Sequence, residues 1–269
     1  MELDLLKLKD QYLEYVKATL SDGTYRCYYH HLNSIVKYFI VNNIDVNKIN
    51  LIKYIQDCKE KNLANKTINH RILTLKCMLR FADIDSDIMK IKKLVVTNKP
   101  FDYLDKDKMI KFKNYIETSS IKNNNKLVLA LLYETGVRLR ELVNIEIKNI
   151  NFKTRTILLT ETKTKNIRYV FYTKFSEQYL LKEDLTKEML FNQCEHGIYK
   201  IFVRANKKLG FDKFHPHMLR HTCATNLLKN GADLESVRQI LGHTDIKQTQ
   251  QYLHLDTDYI KSVYDKCMK

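Results

Sequence analysis

Apolar residues recur at intervals of three and four through most of residues 1–90, the spacing of one helical face. In KTINHRILTLKCMLRFA, Ile68, Ile72, Leu75, Leu79 and Ala82 fall on a single stripe. Lys66, Arg71, Lys76 and Arg80 lie between them on polar faces. TYRCYYHHLNSIVKYFI repeats the pattern with Tyr28, Leu32, Ile35 and Phe39, and the SDGT ahead of it offers capping side chains. The pattern predicts about four helices, packed as a small basic domain over residues 1–92.

The stretch VVTNKPFDYLDKDKM then loses the periodicity. Its polar residues and Pro100 predict a linker over 93–104, with Asp105 capping the next helix and a second domain over 105–269. KLVLALLYETGVRLRELVNI reads as an apolar helix, a glycine turn and a second helix. TRTILLT and IRYVFYT are rich in β-branched and aromatic residues and are joined by the polar ETKTKN, which predicts a β-hairpin. Helices resume after residue 174. Pro216 suits the first turn of a helix through HMLRHTCATNLLK, and Asn230-Gly231 ends it. Asp233 caps LESVRQIL, which Gly242 terminates. The expected fold class is mainly α with a small antiparallel β-sheet.

Charge narrows the function. A net charge of +15 on a chain that can bury real cores favours a polyanionic partner, although the abundant Lys, Asn and Ile also fit an AT-rich genome. Cys27, Cys58, Cys77, Cys194, Cys223 and Cys267 are scattered without a CxxC pair. This argues against a zinc ribbon or disulfide framework and predicts reduced thiols in the cytoplasm. The N-terminus is too charged for a signal peptide, and no apolar run is long enough to span a membrane. Without a glycine-rich phosphate loop, nothing is built for ATP. DIDSD at 83–87 resembles the start of a calcium loop, but Ile88 stands where the turn glycine belongs and Leu94 where the bidentate Glu belongs. It reads as a polar helix terminus.

Two stretches, HPHMLRH and LGHTDIKQTQQYLH, hold five of the nine histidines. His217 and His221 are spaced four apart, as in a zinc protease, and His215 adds a third nitrogen. No carboxylate joins them, and the fixed charge of Arg220 in their midst repels a cation. No metal is therefore expected. HTCATNLLKNGADLESVRQILGH has the form of a helix-turn-helix, which suits a DNA-binding regulator. That reading leaves TGVRLRE, and the KTK at the hairpin tip, without a purpose.

Taken together, TGVRLREL at 135–142, HPHMLRHTCATNLL at 215–228 and LGHTDIKQTQQYLH at 241–254 resemble the three signature boxes of the tyrosine recombinases, or phage-type integrases. The match covers essentially the whole chain in its two-domain, Xer-like form. It implies a helical core-binding domain followed by a mixed α/β catalytic domain, and a site-specific recombinase that cuts and rejoins DNA without metal or other cofactor. Cutting without water or ATP needs a nucleophile that stores the phosphodiester energy. The resemblance assigns this to Tyr252, as a 3′-phosphotyrosyl link. It assigns Arg138 and Arg220 to the phosphate, where paired guanidiniums would stabilise the charge building on its oxygens. Glu141, on the face of Arg138, would orient and neutralise it. Lys163, five residues before Arg168, would protonate the leaving 5′-oxygen, with Lys165 as the competitor. His217 would be base or proton relay for the tyrosine, and His243 a donor to the phosphate. His215, His221 and His254 are left to packing. Lys66, Thr67 and Arg71 are the DNA-contact candidates of the first domain.

The implied partner is double-stranded DNA with a specific recombination site, clamped between the domains, with affinity that falls steeply with salt. Chromosome-dimer resolution and integration or excision of a mobile element both remain open. So do a non-catalytic helix-turn-helix regulator and topoisomerase-like relaxation. In the tail DTDYIKSVYDKCMK, Ile260, Val263, Tyr264 and Cys267 share one helical face. A short terminal helix needs a docking site. The resemblance implies that a neighbouring protomer supplies it, linking a homotetramer around two duplexes.

Overall fold

The computed structural model describes residues 4–97, 101–160, 167–252, 261, 264, 265 and 268. The chain divides into two compact units, Met1–Lys99 and Pro100–Lys269.

The first unit contains α1 (Leu5–Thr19), α2 (Asp22–Val41), α3 (Lys48–Glu60) and α4 (Asn65–Phe81). Side-chain oxygens start three of them: Asp4 accepts from the Lys7 amide, Ser21 from that of Thr24 and Asn47 from that of Asn50. Each helix contributes its apolar face to one core, including Val16, Leu32, Ile35, Leu51, Ile68, Leu75 and Met78. Ile68, Ile72, Leu75 and Leu79 are buried as their spacing requires, with Ala82 packed at the margin. DIDSD leads into a 3-10 turn, Asp87–Lys90, that buries Ile88. Residues 91–97 stay with this unit. Asn69 and Leu94 exchange two hydrogen bonds, and Asn65 donates to the Val95 carbonyl.

The second unit opens with Phe101 and the buried Leu104, whose amide donates to Thr222 Oγ1 at 2.9 Å. Within the stretch 93–104 expected as a linker, Leu94 and Val95 are thus tied to the first unit and Phe101 and Leu104 to the second, while residues 93, 96, 97 and 102 are exposed and 98–100 lie outside the described residues. Then come α5 (Lys106–Thr118), α6 (Asn123–Thr135) and α7 (Leu139–Val143). Leu127 to Leu132 of α6 are buried without a break, as a helix that is apolar all round must be. It packs against α5 and two later helices, α8 (Lys174–Leu180) and α10 (Pro216–Lys229).

Between α7 and α8 lies an antiparallel sheet in the order β1 (Ile150–Asn151), β2 (Thr156–Leu159) and β3 (Arg168–Phe171). The hairpin β2–β3 follows from its composition, whereas the two residues of β1 are too few to carry a period. Ile157 pairs with Val170 and Leu159 with Arg168, so these four share the inward face. The chain continues through α9 (Glu195–Leu209), α10, α11 (Leu234–Leu241) and α12 (Lys247–Gln250). His215 accepts from the Met218 amide at the start of α10, and Asp233 from the Ser236 amide at the start of α11.

The turn between α6 and α7 depends on one glycine. Gly136 takes φ +59, and a Cβ there would stand 2.8 Å from Leu241 Cδ2 and 3.1 Å from Cys223 Sγ. Gly136→Ala should therefore cost about 2 kcal/mol, from left-handed backbone and overpacking together. Urea denaturation measures this, and an unchanged midpoint would show that the turn relaxes freely.

Candidate active site

Four segments of the second unit meet around α11's C-terminal end. After Gly136 the chain is extended at Arg138, the N-cap of α7. One α-helical turn later comes Glu141, whose carboxylate accepts from the Arg138 amide at 2.8 Å and from Arg138 Nη1 at 2.8 Å. The same carboxylate accepts two bonds from Arg168 of β3, at 3.0 and 2.7 Å. Glu141 is 3% exposed. Burial alone would raise its carboxyl, but the Arg168 bonds and charge, with the Arg138 donors, hold it below its ordinary value.

The three arginines are also mounted on consecutive backbone carbonyls. Arg168 Nε donates to Ile240, Arg220 Nη2 to Leu241 and Arg138 Nη2 to Gly242, at 3.1, 2.7 and 3.1 Å. These carbonyls lie where α11 runs out of intrahelical partners and its dipole is negative. Gly242 makes the arrangement possible: it has φ +66, and a Cβ would meet the Arg168 guanidinium at 2.7 Å. Arg220 also donates from Nη1 to the Gly136 carbonyl at 2.6 Å. Burial first, then Arg138, lowers Arg220 to about 10, so it stays charged at neutral pH.

The histidines and tyrosine line this cluster. His243 Nδ1 is 2.8 Å from Thr249 Oγ1 of α12, and its ring stacks on that of Tyr252, with centroids 6.3 Å apart. Burial and then Arg220, Arg138 and Arg168 hold His243 down to about 3, so the ring is neutral. Tyr252 is 3% exposed, and burial pushes its phenol up to about 12 against the pull of Arg220 and Arg138. Its hydroxyl lies 2.9 Å from Nδ1 of His221. His217, one turn earlier on α10, is lowered by desolvation and by Arg220, His215 and Arg138. It is exposed on the side of the first turn.

Arg138, Glu141, Arg220, His217, His243 and Tyr252, all candidates from sequence, are thus brought to one place. Lys163, Lys165 and His254 lie outside the described residues, as do Ile260, Val263 and Cys267. Among the described residues, no cluster of three or more His, Cys, Asp or Glu is placed to hold a metal ion. His215 turns its Nδ1 to a backbone amide and His221 to Tyr252, so the histidines do not converge. On α4, Lys66 is exposed and Thr67 half-buried, while Arg71 donates to Tyr54 Oη at 3.1 Å. Arg71 is thereby tied to its own core.

Two site residues were missed by sequence reasoning. Arg168 served only as a spacing marker, although an arginine sharing the inward strand face with Val170 is itself a signal. Sequence leaves His221 to packing, and only the position of Tyr252 reveals its partner.

The comparisons agree with this architecture. The phage integrase family model matches residues 102–258, and the model of the phage integrase N-terminal SAM-like domain matches residues 10–83. The chain belongs to the phage integrase family, the tyrosine-type site-specific DNA recombinases. Among curated relatives, tyrosine recombinase XerC of Oceanobacillus iheyensis is 31% identical over 77% of this chain and 76% of that protein. Tyrosine recombinase XerD of Staphylococcus haemolyticus is 29% identical over 96% of this chain and 97% of that protein. Among solved structures, the XerH recombinase bound to palindromic difH substrate superposes with a TM-score of 0.81 at 19% identity, covering 100% of this chain and 99% of that one. A lambda integrase dimer bound to a core site gives 0.75 at 16% identity, over 92% and 76%. The non-catalytic regulator finds no support among these relatives.

The depressed Glu141 carboxyl has a testable sign. Its stabilisation is complete above the ordinary carboxyl range and is lost as pH falls through the lower folded-state value. Glu141→Gln keeps the shape and leaves Arg168 uncompensated, at an expected cost of about 3 kcal/mol near neutral pH. Unfolding at neutral and acid pH checks this: the gap between variant and wild type should narrow in acid. An equal gap at both would show that the charge carries no weight.

Proposed function

We propose that this recombinase cuts one DNA strand with the Tyr252 hydroxyl while Arg138 and Arg220 hold the scissile phosphate. The observation that carries the reading is the mounting of three guanidiniums on three successive carbonyls, two of them, Arg138 and Arg220, within electrostatic reach of the Tyr252 phenol. Three positive charges face the single carboxylate of Glu141, so the site carries an excess that an anion would neutralise. Each guanidinium has five N–H groups, and those not turned to protein acceptors are suited to phosphate oxygens.

In the cutting step the tyrosine oxygen bonds to phosphorus and the bond from phosphorus to the 5′-oxygen breaks. Lys163, in the β2–β3 connection, supplies the proton that the 5′-oxygen takes. The 3′-phosphotyrosyl link conserves the phosphodiester energy, and attack by a 5′-hydroxyl reverses it. Pre-set donors stabilise the charge on the non-bridging oxygens without having to reorganise. Thr249 hydroxyl donation to His243 Nδ1 would place that ring's proton on Nε2, as a further donor to the phosphate.

On this reading the partner is duplex DNA with a specific site, bound by both units, with the exposed Lys66 and the half-buried Thr67 of α4 turned to it. The setting is the cytoplasm. Four protomers assemble on two duplexes through the tail, where Tyr264 and Met268 are 61% and 69% exposed.

The chemistry is tested on a nicked duplex selected for binding from a randomised pool. Tyr252→Phe should bind it normally yet form no covalent adduct, and an adduct from this variant would remove Tyr252 from the nucleophile's role. Arg138→Ala or Arg220→Ala should each lose about 3 kcal/mol of transition-state stabilisation, with much smaller losses in binding. EDTA should leave the wild-type rate unchanged, whereas chelator-sensitive cutting restored by a divalent ion would point to metal chemistry.

Assembly is tested separately. Deleting residues 257–269 should spare single-site binding and abolish pairing of two sites, read as the loss of the slowest band in a gel-shift series. Recombination at the normal rate by the truncated chain would show that the tail has no assembly role.

A further inference from the structure

The hydroxyl of Tyr252 meets His221, not His217, at 2.9 Å. Tyr252 is buried and His221 half-buried. Phe101 stacks on the imidazole, with centroids 4.4 Å apart and planes 26° apart, and also meets the Tyr252 ring at 5.6 Å. The His217 ring lies 6.2 Å from that of His221. Of the two bonded groups, the phenol is the better acid and the imidazole the better base, so the O–H donates and Nδ1 accepts.

We propose that His221, steadied by Phe101, is the catalytic partner of Tyr252: it orients the phenol and takes its proton at Nδ1 as the oxygen bonds to phosphorus. This rests on the reading of Tyr252 as nucleophile. The phenolic O–H breaks, the O–P bond forms and the bond from phosphorus to the 5′-oxygen breaks. The phenolic proton ends on Nδ1, and the 5′-oxygen takes its proton from the acid assigned to Lys163. In rejoining, the imidazolium returns its proton to the departing phenol while the attacking 5′-hydroxyl gives its own to that same lysine.

The groups facing His221 are Asp102 beside Phe101, His215 at the cap of α10, His217 and Arg220 on α10, His243 beyond α11, and Tyr252. Burial and the histidine and arginine neighbours hold the imidazole down to about 4, against Asp102. It is therefore neutral and able to accept near neutral pH. So weak a base does not ionise a phenol near 12 beforehand. The transfer has to accompany O–P bond formation, when phosphorus takes up the oxygen's electron pair.

The test is single-turnover adduct formation on the selected nicked duplex, followed across pH. The wild-type rate should be flat around neutrality and fall only in acid. His221→Gln can still bond to the phenol but cannot hold a proton. It should bind duplex normally and cut roughly 100-fold more slowly near neutral pH. Its rate should climb about tenfold per pH unit, because the phenolate fraction becomes limiting. Phe101→Leu keeps the base and loosens its support, so it should slow cutting with the flat profile intact. If His221→Gln keeps the wild-type rate and profile while Tyr252→Phe is inert, the proposal fails and the nucleophile stands. If Tyr252→Phe forms adduct, both fail together. Should His221→Gln not fold, Phe101→Leu decides: an unchanged rate overturns the proposal.

Discussion

Glu141 joins two arginines on one buried carboxylate, and three elements of the second unit are held together around that contact. Three guanidiniums crowded into a site of low exposure repel one another, and repulsion grows as water is excluded. A single carboxylate between Arg138 and Arg168 offsets part of this. The rest falls to oriented dipoles: the carbonyls of Ile240, Leu241 and Gly242, at the negative end of α11. Because the donors come from α7, β3 and α10, the same bonds fix these elements to one another. The stability of the fold and the aim of the arginines are therefore one property.

Burial sets the state of the groups around the arginine cluster, and the cluster modifies it. Arg220, Arg138 and Arg168 reinforce burial in keeping His243 neutral, and Arg220 does the same at His221 and His217. A phosphate entering this field would offset the arginine part of these shifts and leave the larger part, which comes from burial. Tyr252 behaves in the opposite sense. Burial holds its proton on while the arginines pull the other way. The free protein thus keeps a protonated phenol beside neutral imidazoles.

The first unit follows different rules. Its helices meet through apolar stripes, and its basic residues divide between partners inside and outside. Lys76 donates to the carbonyls of Met89 and Ile91, and Arg71 to Tyr54, so both brace the fold. Lys66 and Arg80 are exposed, and Lys66 belongs to the surface proposed to meet DNA. The high net charge thus overstates the number of cations available to a ligand.

The helices, their caps and the hairpin were legible from residue order because each is a local matter. A 3.6-residue period, a serine or aspartate before it and a glycine after it act within a few positions. Arg138, Glu141, Arg220, His243 and Tyr252 were legible because their motifs resemble those of a family. Folding added the contacts between distant positions. Arg168 bonds to a carboxylate 27 residues away, and Tyr252 to an imidazole 31 residues away. His217 and His221 are equivalent on α10 as far as spacing can tell. Only the packing of the Tyr252 segment against that helix, with Phe101 arriving from the start of the unit, decides which imidazole meets the hydroxyl. A hydrogen bond needs atoms within about 3 Å, and that precision comes from the packed core rather than from the periodicity of any one element.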